Sequence, residues 1–598
     1  MPSTIMSQRD LDFLLYEWLD VEKLSERKRF AEHSRESYDA LLALCADLAT
    51  DHFATHYRKS DLEEPTFDGT TVHLIPEIEE AVRRFAKADL IGLPLDEAAG
   101  GMQVPHVVSA ACGAWFAAAN IGTACYPVLT AANAGLLLAH GSPEQIETFA
   151  KPMLEGRFFG TMALSEAHAG SSLADIVTRA EPQGDGAYRI FGTKMWISGG
   201  DHEMGENIVH LVLAKLPDAP AGTKGISLFI VPKFLVNADG SIGERNDIVL
   251  AGLNHKLGSR GTVNTAPVFG DGAFKPGGAA GAIGYLVGEP HRGLAYMFHM
   301  MNAARLGVGM AAATTGYTAY LKSLDYARSR PQGRAATNRD ATTPQLNIIE
   351  HADVRRMLLA QKAYAEGALA LVLYCDLLLD EQLTAENDAD RLAAGQLLDM
   401  LTPIAKSWPS QWCQEGNSLA VQVLGGAGYT RDYDVEQHWR DQRLNPIHEG
   451  THGIQAMDLL GRKVLGDGGA GLMALAAKIG ETVARATELG GEAAGQATAL
   501  KASVDRLGEV TMTLAGLGDP DRILANATVY LEAAGHVVVA WIWLEQVLAC
   551  AGKEGDFYDG KRQAARFFFR WELPKVGPML DLLASGDTTT LEMQDAWF

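Results

Sequence analysis

The sequence predicts an α+β protein that is mainly α: an N-terminal helical domain, a central β-barrel or β-sandwich domain, a C-terminal four-helix bundle and an extra C-terminal helical domain. Three observations predict this layout. Apolar residues recur at helical spacing before residue 156 and after residue 285; between them runs a stretch of short β-rich segments separated by turn residues; and a Gly-rich junction at 465–471 sets off a last apolar block. With 598 residues the chain exceeds what one hydrophobic core accommodates, and the length corresponds to about four domain-sized units.

The opening segment, MPSTIMSQRDLDFLLYEWLD, acquires acidic residues early and has no long apolar run, so it reads as a helix and not as a signal peptide; residues 1–36 form a helical extension. Residues 37–156 carry helical spacing in EIEEAVRRFAKADL and VVSAACGAWFAAANIG. In 157–280, YRIFGTKMWIS, NIVHLVLAKL and GISLFIVPK read as strands with turns such as QGDGAY between them, and GGAAGAIG near 277–284 reads as a linker. Residues 281–464 return to long helical patterns and form the bundle, where the small side chains of GVGMAAATTG (307–316) suggest room for a long apolar ligand. Residues 471–598 form the added helical domain. Its most apolar stretch, 524–551, is interrupted by Glu532, His536 and Glu545, which argues for a buried helix and against a membrane span.

The 74 acidic and 51 basic side chains give a formal charge of −23, which repels phosphate backbones and anionic membranes and argues against a nucleic-acid partner. Six scattered cysteines form no C-x-x-C pair, which speaks against a zinc ribbon or disulfide framework and for a reducing, cytoplasmic setting. Two short motifs compete for attention. His448, Glu449 and His452 spell H-E-x-x-H, a zinc-hydrolase signature that needs a continuous helix. Pro446, Gly450 and Gly453 oppose such a helix. GAGLMA (469–474) approximates a dinucleotide fingerprint but lacks a preceding strand, so it reads as a linker entering a helix.

Several ordered segments resemble the acyl-CoA dehydrogenase family over roughly residues 90 to 462. They are GLPLDEAAGG (92–101), MALSEAHAGSSLAD (162–175), KMWISGG (194–200), DYARSRPQGR (325–334), VQVLGGAGYT (421–430) and RDQRLNPIHEGTHGIQ (440–455). The added helices are similar to the roughly 600-residue bacterial subgroup that includes 3-methylmercaptopropionyl-CoA dehydrogenase. The resemblance implies FAD as cofactor, held by Met162, Leu164, Ser165, Gly170 and Ser171, by Trp196 and Ser198 at the ring, and by Thr451. It further implies that Arg330, Gln332, Gln422, Gly425 and Gly426 reach the FAD of a second subunit, so that a homodimer is expected. Ala98 or Ala99, Gly333 and His448 stand where the family commonly has aromatic residues. The implied catalytic base is Glu449, which removes the α-proton of an acyl-CoA while the β-hydride passes to flavin N5. An electron-transferring flavoprotein is the implied acceptor. Acyl-CoA oxidase is the nearest alternative and a zinc hydrolase the remote one.

Overall fold

The computed structural model describes residues 3–598 except 185, 339 and 467, and gives the backbone alone at 299 and 302. The chain divides into two compact units. One comprises 39–104 and 119–304; the other comprises 1–38, 105–118 and 305–598.

In the first unit the β domain is built from β1 (Phe158–Ala163), β2 (Arg179–Pro182), β3 (Tyr188–Thr193), β4 (Ile197–Ser198), β5 (Asn207–Lys215), β6 (Ile226–Pro232), β7 (Ile248–Leu253), β8 (Asn264–Phe269) and β9 (Ala282–Leu286). The main path runs β7-β8-β3-β9-β6-β5-β1. Strand β2 pairs antiparallel with β3 and, at Arg179 and Lys215, parallel with β5, so β3, β9, β6, β5 and β2 close a ring. Closure satisfies backbone groups that an open edge would leave unpaired. Strands β5 and β6 are apolar on both faces because each face meets a core, one formed with Leu136, Phe149 and Met153 of the preceding helices and one inside the ring with Ile190 and Ala282. Strand β9 corrects the sequence reading. Its Ala282 and Gly284 lie within the stretch taken as a linker, yet both are buried in the sheet, paired with β3. Small residues suit this position because a Cβ on Gly284 would sit 2.9 Å from Ile190. The helical segment preceding the sheet also contains a small strand pair, Thr66–Phe67 with Val72–His73.

The second unit holds the bundle and the C-terminal domain. Three long helices dominate the bundle: α1 (Gly293–Ser329, mostly in this unit), α2 (Ala352–Thr384) and α3 (Asp388–Leu424). The fourth element is segmented, with α4 (Val435–Gln442), α5 (His452–Met457) and a π-helical turn to Val464. Two small residues on α1, Gly309 and Gly316, are packing contacts, whereas a Cβ at the exposed Gly307 would meet nothing within 4 Å. A Cβ at Gly309 would lie 2.2 Å from the Ala405 carbonyl oxygen, and one at Gly316 would lie 2.7 Å from Cys413. The room expected at 307–316 is taken, at these two positions, by the backbone and side chains of α3.

The C-terminal domain comprises α6 (Ala470–Leu489), α7 (Gly491–Ala515), α8 (Ala527–Ala549), α9 (Asp556–Phe567) and shorter segments. Helix α8 is the apolar stretch 524–551, and it is buried. It joins the bundle through reciprocal notches. Trp543 fills the space left by Gly367 on α2 and donates from Nε1 to the Ala363 carbonyl at 3.1 Å, while Trp408 of α3 lies over Gly535 of α8. Any larger residue at either glycine would displace a fully buried indole.

Candidate active site

The turn between α4 and α5 holds Glu449, which lies in the left-handed region at φ 51°. Gly450 follows at φ 85°, where a side chain would be strained. A non-glycine residue at positive φ is held there by its surroundings and typically costs about 1–2 kcal/mol. Those surroundings are specific. Lys406 of α3, with its side chain fully buried, donates to the carbonyls of Asn445 at 2.8 Å and Gly450 at 2.7 Å. Gln455 Nε2 donates to the Glu449 carbonyl at 3.0 Å, and the His452 amide donates to the Pro446 carbonyl at 2.9 Å. Thr451 caps α5 through its hydroxyl, which accepts from the Ile454 amide at 3.2 Å.

Burial raises the proton affinity of Glu449 above the usual carboxylate range, and the charges of Arg305 and Lys406 offset part of that effect. Lys406 is pushed down to about 8 by burial, with Glu449 opposing the shift. His448 is pushed down to about 3 by burial and by Lys406, so it is neutral at physiological pH. Arg305 is anchored by Asp458 at 3.2 Å. Among the described residues the Glu449 amide makes no hydrogen bond within the chain, which leaves a donor beside the carboxylate.

The same geometry bears on the H-E-x-x-H reading. His448 and Glu449 lie in a turn and α5 begins only at His452, so the two histidines do not share one helical face. His448 Nε2 contacts Asn445 at 3.3 Å, whereas His452 Nε2 lies 2.8 Å from Glu532.

In the other unit, the segments around 162–175 and 194–200 are tied together by a buried ion pair. Lys194 Nζ lies 3.0 Å from Glu166 and donates to the Leu164 carbonyl at 2.9 Å, and the Met195 amide donates to the Ser165 carbonyl at 3.0 Å. Glu166 also accepts from the Val177 and Thr178 amides and the Thr178 hydroxyl. Burial alone would raise Glu166, but Lys194 and these donors hold it below the usual carboxylate range; burial pushes Lys194 down to about 8. On this frame Met162 and Leu164 are half-buried against the core, while Gly170 and Ser171 are exposed. Among the described residues the amides of Gly170 and Ser171 make no hydrogen bond. Trp196 is 62% exposed at φ 65°, and Ser198 Oγ accepts from Asn264 at 3.2 Å.

Arg330 and Gln332 follow the end of α1, and Gln422, Gly425 and Gly426 lie at the end of α3; all five are exposed. One core cluster, including Ala327, Ile348, Leu358, Val423 and Leu424, holds both helix ends. Gly425, at φ 62°, donates its amide to the Gln422 carbonyl and ends α3.

Residues 35–157 match the family model "Acyl-CoA dehydrogenase, N-terminal domain", 291–465 match "Acyl-CoA dehydrogenase, C-terminal domain", and 475–594 match "Acetyl-CoA dehydrogenase C-terminal like". The chain is 33% identical to the broad-specificity linear acyl-CoA dehydrogenase FadE5 of Mycobacterium tuberculosis, covering 99% of both chains. The chain belongs to the acyl-CoA dehydrogenase family. It is also 38% identical to 3-methylmercaptopropionyl-CoA dehydrogenase of Ruegeria pomeroyi, over 78% of this chain and 79% of that one. The fold is shared with the acyl-CoA dehydrogenase of Bacillus anthracis complexed with FAD, at a TM-score of 0.73 and 17% identity, covering 94% of this chain and 90% of that chain.

For an acyl-CoA dehydrogenase, whose cofactor is FAD, these residues fit the group. Free amides at Gly170 and Ser171 suit phosphate oxygens, since a Cβ at Gly170 would meet nothing within 4 Å and the backbone is open to approach. The exposed indole of Trp196 suits a planar ring. Four contributors escaped the sequence reading: Glu166, Lys194, Arg305 and Lys406. The available signal for Lys406 was a single cation in the apolar run LLDMLTPIAKSW.

Proposed function

We propose that this chain oxidises a saturated acyl-CoA thioester to the trans-2-enoyl-CoA, with Glu449 as the base that removes the α-proton. The observation that carries this reading is a carboxylate of raised proton affinity, fixed in a braced turn next to an uncommitted backbone amide. A carboxylate in that state is a stronger base than one in water, and the free Glu449 amide supports a role as donor to a thioester carbonyl, on which charge develops as the proton leaves. When bound, FAD supplies hydride acceptance at N5 and onward transfer of the electrons, for which we propose an electron-transferring flavoprotein.

Met162, Leu164, Ser165, Gly170, Ser171, Trp196, Ser198 and Thr451 are proposed to hold that FAD, and Arg330, Gln332, Gln422, Gly425 and Gly426 to hold the FAD of a second copy. The exposure of those last five supports this assignment and a homodimer. The name of the Mycobacterium relative supports linear acyl chains as substrates, for which we propose a place in fatty-acid β-oxidation, and that of the Ruegeria relative supports a 3-methylthiopropanoyl-CoA-like alternative. We propose a cytoplasmic location.

The test is anaerobic titration of the FAD-loaded protein with acyl-CoAs from butyryl to palmitoyl, read at the flavin absorption band. Bleaching by the wild type, with reduction slowed by several orders of magnitude in Glu449→Gln at unchanged FAD content, is the expected result. Bleaching by Glu449→Gln at a rate near wild type would place the base elsewhere.

A further inference from the structure

The C-terminal domain packs against α5, which leaves the base-bearing turn, and Glu532 meets its first residue. Glu532, on α8, has its Oε1 2.8 Å from His452 Nε2 and accepts from Trp412 Nε1 at 2.6 Å through Oε2. His452 is the first residue of α5, three positions after Glu449. Trp412 is on α3, six positions after Lys406, the residue that holds two carbonyls of the same turn.

The contact is sheltered, with the His452 and Glu532 side chains 16% and 15% exposed. Among the described residues neither ring nitrogen of His452 has a hydrogen-bond partner, so the carboxylate of Glu532 is the polar group that answers it. A sheltered imidazole left without that carboxylate would turn toward water and carry the start of α5 with it. Glu532 is itself fixed, since its carbonyl accepts from His536 Nδ1 at 2.9 Å, and the His536 ring packs edge-on against Trp412 at 4.6 Å.

We infer that Glu532 is a positioning residue for Glu449, and that one function of the C-terminal domain is to brace the base-bearing turn at its entry into α5. The inference rests on the reading of Glu449 as the base. Glu449 sits at positive φ, a conformation that persists only when the surroundings over-determine it. Lys406 and Gln455 hold the carbonyls of the turn. The Glu532 to His452 contact fixes where the turn enters α5, and the Trp412 contact locks that entry to the helix carrying Lys406. Misplacing a reacting group by an ångström costs on the order of 100-fold in rate without weakening binding of the rest of the substrate.

The test is stopped-flow reduction of the FAD-loaded full chain, using whichever acyl-CoA from butyryl to palmitoyl bleaches the wild type fastest. Glu532→Gln is expected to slow flavin reduction about 10- to 100-fold, with the half-saturating substrate concentration and FAD content unchanged. His452→Asn is expected to do the same, and the double variant no more than either single, because both act through one contact. Amide hydrogen exchange over 446–453 is expected to rise in Glu532→Gln, with or without substrate. If Glu532→Gln does not fold, Trp412→Phe removes the other contact and is expected to slow reduction several-fold. Rates near wild type in the folded variants, additive losses, or an equal fall in rate and affinity would overturn the positioning role. Glu449→Gln, run alongside, separates the two ideas. If it alone is inactive, the base stands and the brace falls; if it reduces flavin normally, the base reading falls and the brace with it.

Discussion

Glu449 and Lys406 form a pair in which each modifies the other without a direct role for both in proton transfer. Lys406 spends two of its donors on backbone carbonyls, so its charge is committed to shaping the turn, and it lowers the proton affinity of Glu449 less than burial raises it. The sign of the pH dependence follows. With its proton affinity raised, Glu449, the proposed base, is protonated and so disabled as pH falls through a midpoint above the ordinary 4.5. Flavin reduction by the wild type is therefore expected to show an acidic limb centred above pH 4.5, measured as the reduction rate against pH at saturating acyl-CoA. A limb centred at or below 4.5 would mean that Glu449 is solvated in the complex.

At the scale of helices, the bundle depends on close backbone approach. Gly309 of α1 faces the Ala405 carbonyl of α3, next to Lys406, and a methyl there would lie 2.2 Å from the oxygen. Gly309→Ala is expected to destabilise the bundle by about 1–3 kcal/mol through overpacking, read as a lower denaturation midpoint. Reduction should slow as well, since the displaced segment carries Lys406. Unchanged stability would mean that α1 and α3 separate without cost. The β domain uses the same economy at Gly284, which lets β9 pass over Ile190 inside the ring. That close passage explains why a Gly- and Ala-rich stretch, read as a linker on composition, is a buried strand.

In the whole of the second unit, the N-terminal helix, the bundle and the C-terminal domain meet at a buried group of charges. Lys561 of α9 lies 2.5 Å from Asp10 and 2.8 Å from Glu366, donates to Gln546 at 3.0 Å, and Asp10 accepts from the Tyr317 hydroxyl at 2.9 Å. Each partner comes from a different segment, so the cluster registers the chain's first helix against its last domain. Removing only Lys561 leaves Asp10 buried without its ion partner, beside a Glu366 that keeps Lys362. Lys561→Met is therefore expected to cost about 3–5 kcal/mol, seen as a fall in thermal midpoint with early exposure of both termini to protease. A loss under 1 kcal/mol would show that water or protonation relieves the carboxylates.

The sequence by itself determined the helical, β, helical order, the placement of α8 as a buried helix and, through Pro446, Gly450 and Gly453, a turn in place of a continuous helix at Glu449. These are legible because periodicity and turn chemistry are local, and because Pro446 and Gly450 limit what their neighbours can form. Tertiary structure alone decided that Lys406, Arg305, Glu166 and Lys194 are buried and what each one holds. It also decided that Gly309 and Gly316 are contact points instead of empty space, and that Glu532 stands against His452, 80 residues away in sequence but in contact in the fold. Burial and partnership are properties of packing, and a cation in an apolar run reads the same whether it faces water or holds two carbonyls.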